Sequence, residues 1–112
     1  MATFGTILFT AEVTVAALAS PTPSATVSID ASTANLFKWT AGENETVNIT
    51  AGQKAGRVIT FMITNDALAR TITLGTGIVS LGVIVGTALK TAVVVLQSDG
   101  SSFYELSRTL GL

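Results

Sequence analysis

Ser24-Ala25-Thr26-Val27-Ser28-Ile29 alternates polar and apolar side chains without a break. Successive side chains of a strand point to opposite faces, so this order puts Ala25, Val27 and Ile29 on one face of a pleat and leaves the hydroxyls on the other. A half-buried strand results. The same period returns downstream. Val47 and Ile49 alternate with Thr46, Asn48 and Thr50, and Ile59, Phe61 and Ile63 alternate with Thr60 and Thr64, with Met62 interrupting the polar face. Ile72 and Leu74 flank Thr73. The run Ala92-Val93-Val94-Val95-Leu96 is apolar on both faces and rich in β-branched residues, which predicts a central strand covered on both sides.

Turn chemistry separates these runs at Ala41-Gly42-Glu43-Asn44, Ala51-Gly52-Gln53, Asn65-Asp66, Gly75-Thr76-Gly77 and Ser98-Asp99-Gly100. Asp99-Gly100, between Leu96 and Phe103, is the strongest hairpin signal. Strands are expected over residues 3–9, 12–18, 24–29, 35–40, 45–50, 57–64, 69–74, 78–85, 89–97 and 102–107. Residues 67–70 make at most one helical turn. Many short strands at regular spacing predict an all-β chain, an antiparallel β-sandwich or jelly roll forming a single domain over 24–112. Ser20-Pro21-Thr22-Pro23-Ser24 is extended and unfit for a central strand, so residues 1–23 are expected to form an N-terminal β arm and proline linker.

Composition narrows the function. Of 112 residues, 48% are apolar, six are Lys or Arg and seven are Asp or Glu. A soluble domain ordinarily carries about a quarter charged residues, so this surface is short of ions and part of it should be covered by other subunits. The net charge of −1, with basic residues scattered singly, argues against nucleic acid as a partner. With no Cys and no His, the chain has no disulfide, thiolate nucleophile, zinc finger or imidazole base to offer.

Two membrane-related patterns are weak. The first twenty residues end in Ala17-Leu18-Ala19-Ser20, which superficially fits a cleavage site, yet no basic residue precedes the apolar stretch and Glu12 interrupts it. A structured segment is the better expectation. Gly82-Val83-Ile84-Val85-Gly86 has the spacing that packs membrane helices, but residues 77–89 are too short and too interrupted to span a bilayer.

Taken in order, Asn35-Leu36-Phe37, Thr46-Val47-Asn48-Ile49, Ala51-Gly52-Gln53, the run Ile59-Thr60-Phe61-Met62-Ile63-Thr64-Asn65-Asp66, Arg70-Thr71-Ile72-Thr73 and Asp99-Gly100-Ser101-Ser102-Phe103-Tyr104 form a series. It resembles the small jelly-roll-like β-domains of tailed-bacteriophage structural proteins, over roughly residues 25–108. Such domains serve as capsid decoration proteins, head-fibre segments or tail-fibre modules, often as trimers. Phe103 and Tyr104 stand where such domains often have Trp after the Asp-Gly turn. The resemblance implies a homotrimer bound to a major capsid protein on the outside of a virion. A receptor- or glycan-binding fibre module is the alternative.

Candidate chemistry is sparse, and neither an enzyme nor a cofactor is expected. Glu43 and Glu45 lie two apart and offer carboxylates, but a solvated turn accounts for them. With no His, Lys38, Lys54, Lys90 and the carboxylates are the only candidate bases to activate a hydroxyl, and no sequence context points to such a dyad. Phe37, Trp39 and Tyr104 could stack sugars, although Phe37 and Trp39 share a strand face and so belong to a core. Asn44-Glu45-Thr46 and Asn48-Ile49-Thr50 fit a glycosylation pattern that arises often by chance. The candidate assembly contacts are Phe4, Ile7, Leu8, Phe9, Val13 and Val15, in a segment able to add a strand to a neighbour or to pair within its own sandwich.

Overall fold

The structure, a computed structural model, describes residues 17–112, and within them every regular element is a strand. The strands are β1 (Leu18–Ala19), β2 (Thr26–Asp30), β3 (Leu36–Ala41), β4 (Glu45–Ala51), β5 (Val58–Asn65), β6 (Thr71–Leu74), β7 (Ile78–Val79), β8 (Ile84–Val85), β9 (Thr91–Ser98) and β10 (Phe103–Thr109). They form a six-stranded sheet, ordered β1-β3-β5-β9-β10-β7, and a four-stranded sheet, ordered β2-β4-β6-β8. The expected strands at 3–9 and, for the most part, 12–18 lie outside the described residues.

Up to β8 the chain alternates between the two sheets, one strand in each, and so winds as a flattened coil. Leu18 pairs with Leu36 and Leu36 with Thr60 in the first sheet, while Thr26 pairs with Thr46 and Thr46 with Thr73 in the second, all in parallel register. An antiparallel jelly roll is therefore not what these residues build: antiparallel pairing is confined to β5 with β9, β9 with β10, and β6 with β8. The reason lies in the connections. An antiparallel neighbour needs a tight hairpin, and the tight Asp99-Gly100 turn does produce one, with Asp99 N–H donating to Ser102 O at 3.1 Å. The connections after β3, β4 and β5 instead carry the chain across to the opposite sheet. The β9–β10 hairpin is inserted between β5 and β7, where one more coil would otherwise have stacked.

The core lies between the sheets and is made by the alternating residues. Val27 and Ile29 (β2), Phe37 and Trp39 (β3), Val47 and Ile49 (β4), Ile59, Phe61 and Ile63 (β5), Ile72 and Leu74 (β6), and Val94 and Leu96 (β9) are all buried. Phe61 sits at the centre. Its ring meets Phe37 at 6.0 Å and Trp39 at 5.6 Å, both edge to face, an arrangement that aligns the positive edge of one ring with the negative face of the other.

Three local expectations change. Ala25 is exposed and precedes its strand. Val93 and Val95 are only half-buried, so β9 is central in hydrogen bonding but covered on one face alone. The stretch 78–85 is broken into β7 and β8 at residues 80–83, where Gly82 adopts φ +123°, a conformation closed to most other residues.

Candidate functional site

Strand directions sort the loops into two ends of the molecule. Residues 30–36, 51–58, 74–78 and 98–103 gather at one end and residues 41–45, 65–71, 85–91 and 109–112 at the other. The first end is mostly polar, with Asp30, Ser32, Lys54, Asp99 and Ser101 exposed and Val58 its one large exposed apolar side chain. At the second end Leu68 (59%), Val85 (68%), Leu89 (72%), Leu110 (45%) and Leu112 (61%) all face solvent. Large apolar side chains collected on one face of a monomer are the usual mark of a docking surface.

A polar scaffold holds these leucines in place. Asn65 is buried; its Nδ2 donates to Lys90 O at 3.2 Å and its Oδ1 accepts from Arg70 N–H at 2.9 Å. Asp66 accepts from Leu68 N–H at 3.1 Å and takes the Arg70 guanidinium in two bonds of 2.9 and 2.7 Å. The bonds from Arg70, then that from the Leu68 amide, hold the Asp66 carboxyl below its ordinary pKa and raise that of Arg70. The 87–90 turn is tied down in turn, with Leu89 N–H donating to Asp66 O at 2.8 Å and Lys90 N–H to Thr87 O at 3.0 Å. Leu112 is fixed by reciprocal bonds with Thr91, of 2.8 and 3.0 Å.

Leu89 sits at φ +64°, the left-handed region in which glycine and asparagine are at ease and leucine is not. A strained backbone therefore presents the most exposed leucine of this end. The cost is held locally by the hydrogen bonds around it, which is the usual circumstance of backbone strain at functional positions.

A second apolar region adjoins the β7 edge. Val79 and Tyr104 are register partners, both exposed on the outer face of the six-stranded sheet. Leu106 is the extra residue of a bulge between Glu105 and Ser107, and it too is exposed. Leu81 and Val83 project from the 80–83 segment, which is clamped from beneath. The buried Glu105 accepts from Leu81 N–H at 2.9 Å and from Arg108 at 2.7 and 2.8 Å, while Arg108 also donates to Val83 O and Gly82 O at 3.1 and 2.7 Å. Burial opposes ionisation of Glu105, but the Arg108 and Leu81 donors outweigh it and the carboxyl stays below its ordinary pKa.

Glu45 is not part of a solvated turn. As first residue of β4 it turns inward, is 3% exposed, and accepts from Trp39 Nε1–H at 2.8 Å through Oε1; its Oε2 is buried without a partner. Burial pushes this carboxyl above its ordinary pKa, the Trp39 bond opposes the shift, and the Glu43 charge adds to it. Glu43 itself is exposed. The two carboxylates therefore face different environments and do not form a pair.

The aromatic platform is not assembled either. Phe37 and Trp39 lie in the core, whereas Tyr104 is on the outer face of the sheet. Pro21 and Pro23 line an open groove of about 690 Å³ with Leu18, Lys38, Trp39 and Thr40, beside the part of β3 that β1 does not reach. Among the described residues no group of three or more His, Cys, Asp or Glu gathers to hold a metal ion, and no helix is long and apolar enough to cross a membrane.

The assembly contacts expected from sequence, Phe4, Ile7, Leu8, Phe9, Val13 and Val15, lie outside the described residues. The exposed leucines were missed because a periodicity reading treats turns as polar. Their signal was available: Leu68 follows Asn65-Asp66, Leu89 precedes Lys90 in a turn, and Leu110 and Leu112 flank Gly111. No protein-family model, curated protein or solved structure matches this chain.

Proposed function

We propose that this chain is a non-enzymatic structural protein of a bacteriophage virion, a capsid decoration protein that forms a homotrimer and reinforces the outside of the head by binding its major capsid protein. The observation that supports it best is the uneven distribution of exposed apolar side chains: Leu68, Val85, Leu89, Leu110 and Leu112 at one end, against Val58 alone in the loops of the other. A body whose exposed apolar side chains are concentrated at one end suits a position between a partner and solvent. The second apolar region, around Val79, Leu81, Tyr104 and Leu106, supplies a further contact surface, so that one can serve trimerisation and the other the shell.

The jelly-roll resemblance bears on this reading through the β-domain and its use, while the parallel winding departs from that family's antiparallel pattern. Three equivalent contacts would raise the local concentration of each binding site, so weak individual contacts suffice to retain a trimer on a lattice. Such a protein stabilises the assembled shell by mass action, because it binds the lattice and not the dispersed subunits. A glycan-binding fibre module is less well supported, since Phe37 and Trp39 are withdrawn from the surface.

Sedimentation equilibrium of the purified chain gives the first test, with a mass three times that of the monomer expected. Electron microscopy of particles with and without the chain gives the second, with added density on the capsid expected. A monomer at high concentration that leaves shells unoccupied would overturn the proposal.

A further inference from the structure

We propose that the edge of β3 between Lys38 and Thr40 takes an extended segment of another polypeptide, one that alternates acidic and apolar side chains, as an added strand. The backbone defines this edge. Leu36 N–H donates to Ala17 O at 3.1 Å, and the parallel register of Leu18 with Leu36 and Ala19 with Phe37 sets the next bonds as Ala19 N–H to Leu36 O and Lys38 N–H to Ala19 O. Two more donors would continue the ladder, the nitrogen of residue 21 to Lys38 O and that of residue 23 to Thr40 O. Both positions are proline, which has no N–H to give. β1 accordingly stops at Ala19, and among the described residues Lys38 O, Thr40 N–H and Thr40 O have no backbone partner on this side. The opposite side of β3 is occupied along its whole length by β5.

The prolines leave the sheet but stay alongside it. The open stretch of β3 therefore forms one wall of the groove of about 690 Å³, with Pro21, Thr22 and Pro23 as the other. That volume lies within the range of roughly 300–1,000 Å³ usual for clefts that hold a ligand.

A strand added to a sheet edge takes its affinity from main-chain hydrogen bonds and its selectivity from alternate side chains. Lys38 O and Thr40 O call for two N–H groups two residues apart, which is the repeat of an extended chain. Charge names the acidic positions. Lys38 is the only charged side chain lining the groove, is exposed, and among the described residues joins no ion pair, so a carboxylate of the incoming segment would meet it unopposed. The lining also includes Leu18, 61% exposed, with Pro21 and Pro23, which suits apolar side chains at the positions between the acids. The groove shares no residue with the two apolar regions described above, and the proposal does not depend on the capsid reading.

The test uses the full chain and a fluorescein-labelled synthetic heptapeptide that alternates valine and glutamate, titrated by fluorescence anisotropy. Saturable binding is expected. A heptapeptide of alternating valine and lysine, and the glutamate peptide methylated at every backbone nitrogen, should not bind. Lys38→Glu, at an exposed position, should weaken binding of the glutamate peptide about fivefold or more while the melting temperature holds. Amide exchange locates the contact: Thr40 N–H should exchange rapidly in the free chain and slowly once the peptide is bound. A glutamate peptide that binds no better than the lysine or methylated peptide would overturn the proposal, and so would equal binding to Lys38→Glu. A Thr40 amide already protected in the free chain would overturn it too, because the edge would then be filled by this chain itself or by a second copy.

Discussion

Replacing Glu45 with glutamine removes a charge from a place where burial penalises it. Oε1 accepts from Trp39 at 2.8 Å, and the amide oxygen of glutamine can do the same; the partnerless Oε2 becomes an amide nitrogen, polar but uncharged. A buried polar atom without a partner costs about 1–3 kcal/mol, and a charged one more. Glutamine keeps the neutral part of that cost and sheds the rest, so the variant should be more stable than the parent by about 1–2 kcal/mol at pH 8. The pH dependence is the diagnostic. The Glu45 pKa in the folded protein lies above its ordinary value of 4.5, so above pH 4.5 the folded state retains a proton that the unfolded state has lost. Stability therefore falls as pH rises through that window, and the glutamine variant escapes the fall. Its advantage should be full above the folded pKa, shrink as pH drops, and vanish below 4.5. Asp66 and Glu105, with lowered values, lose their contributions at lower pH in both proteins and cancel from the difference. Urea unfolding from pH 4 to 8, followed by the fluorescence of Trp39, the single tryptophan, measures it. A constant difference across that range, or a less stable variant at pH 8, would refute the argument. Glu43→Gln, at an exposed position, should shift stability by no more than about 0.5 kcal/mol.

Arg108→Met leaves the Glu105 carboxylate buried without its cation, which should cost about 3–5 kcal/mol in urea unfolding; Glu105→Gln in the same chain should recover part of it. Hydrogen exchange in that variant should rise first at residues 80–83, whose Gly82 and Val83 carbonyls lose their donor. Leu89→Asn relieves a left-handed leucine without opening the core, so melting temperature should hold or rise while self-association weakens several-fold by sedimentation; unchanged association would show that this side chain is no contact.

How much of this was legible from sequence differs by level. The two-residue alternation identified the buried faces of β2, β4 and β5 because strand geometry imposes that period whatever the neighbours are. Asp99-Gly100 marked its hairpin because the φ of +103° at Gly100 is a local requirement. The site was less readable. Glu45 looks like any turn carboxylate until Trp39, six residues earlier on another strand, is found beside it. Leu68, Leu89 and Leu112 are separate leucines in sequence and share one end of the molecule only once β5, β9 and β10 have paired.

Sequence by itself settled the all-β character, the inward apolar rows of β2, β4 and β5 and the shortage of charge, since each follows from local sterics or from simple counting. Tertiary structure alone decided that the chain winds in parallel coils, that Glu45 is buried and Glu43 is not, and that the exposed leucines converge. Alternation states which face of a strand is apolar but not which strand lies beside it. Neighbours are chosen by whether a connection turns back in its own sheet or crosses to the other, and that depends on contacts among residues far apart in the chain.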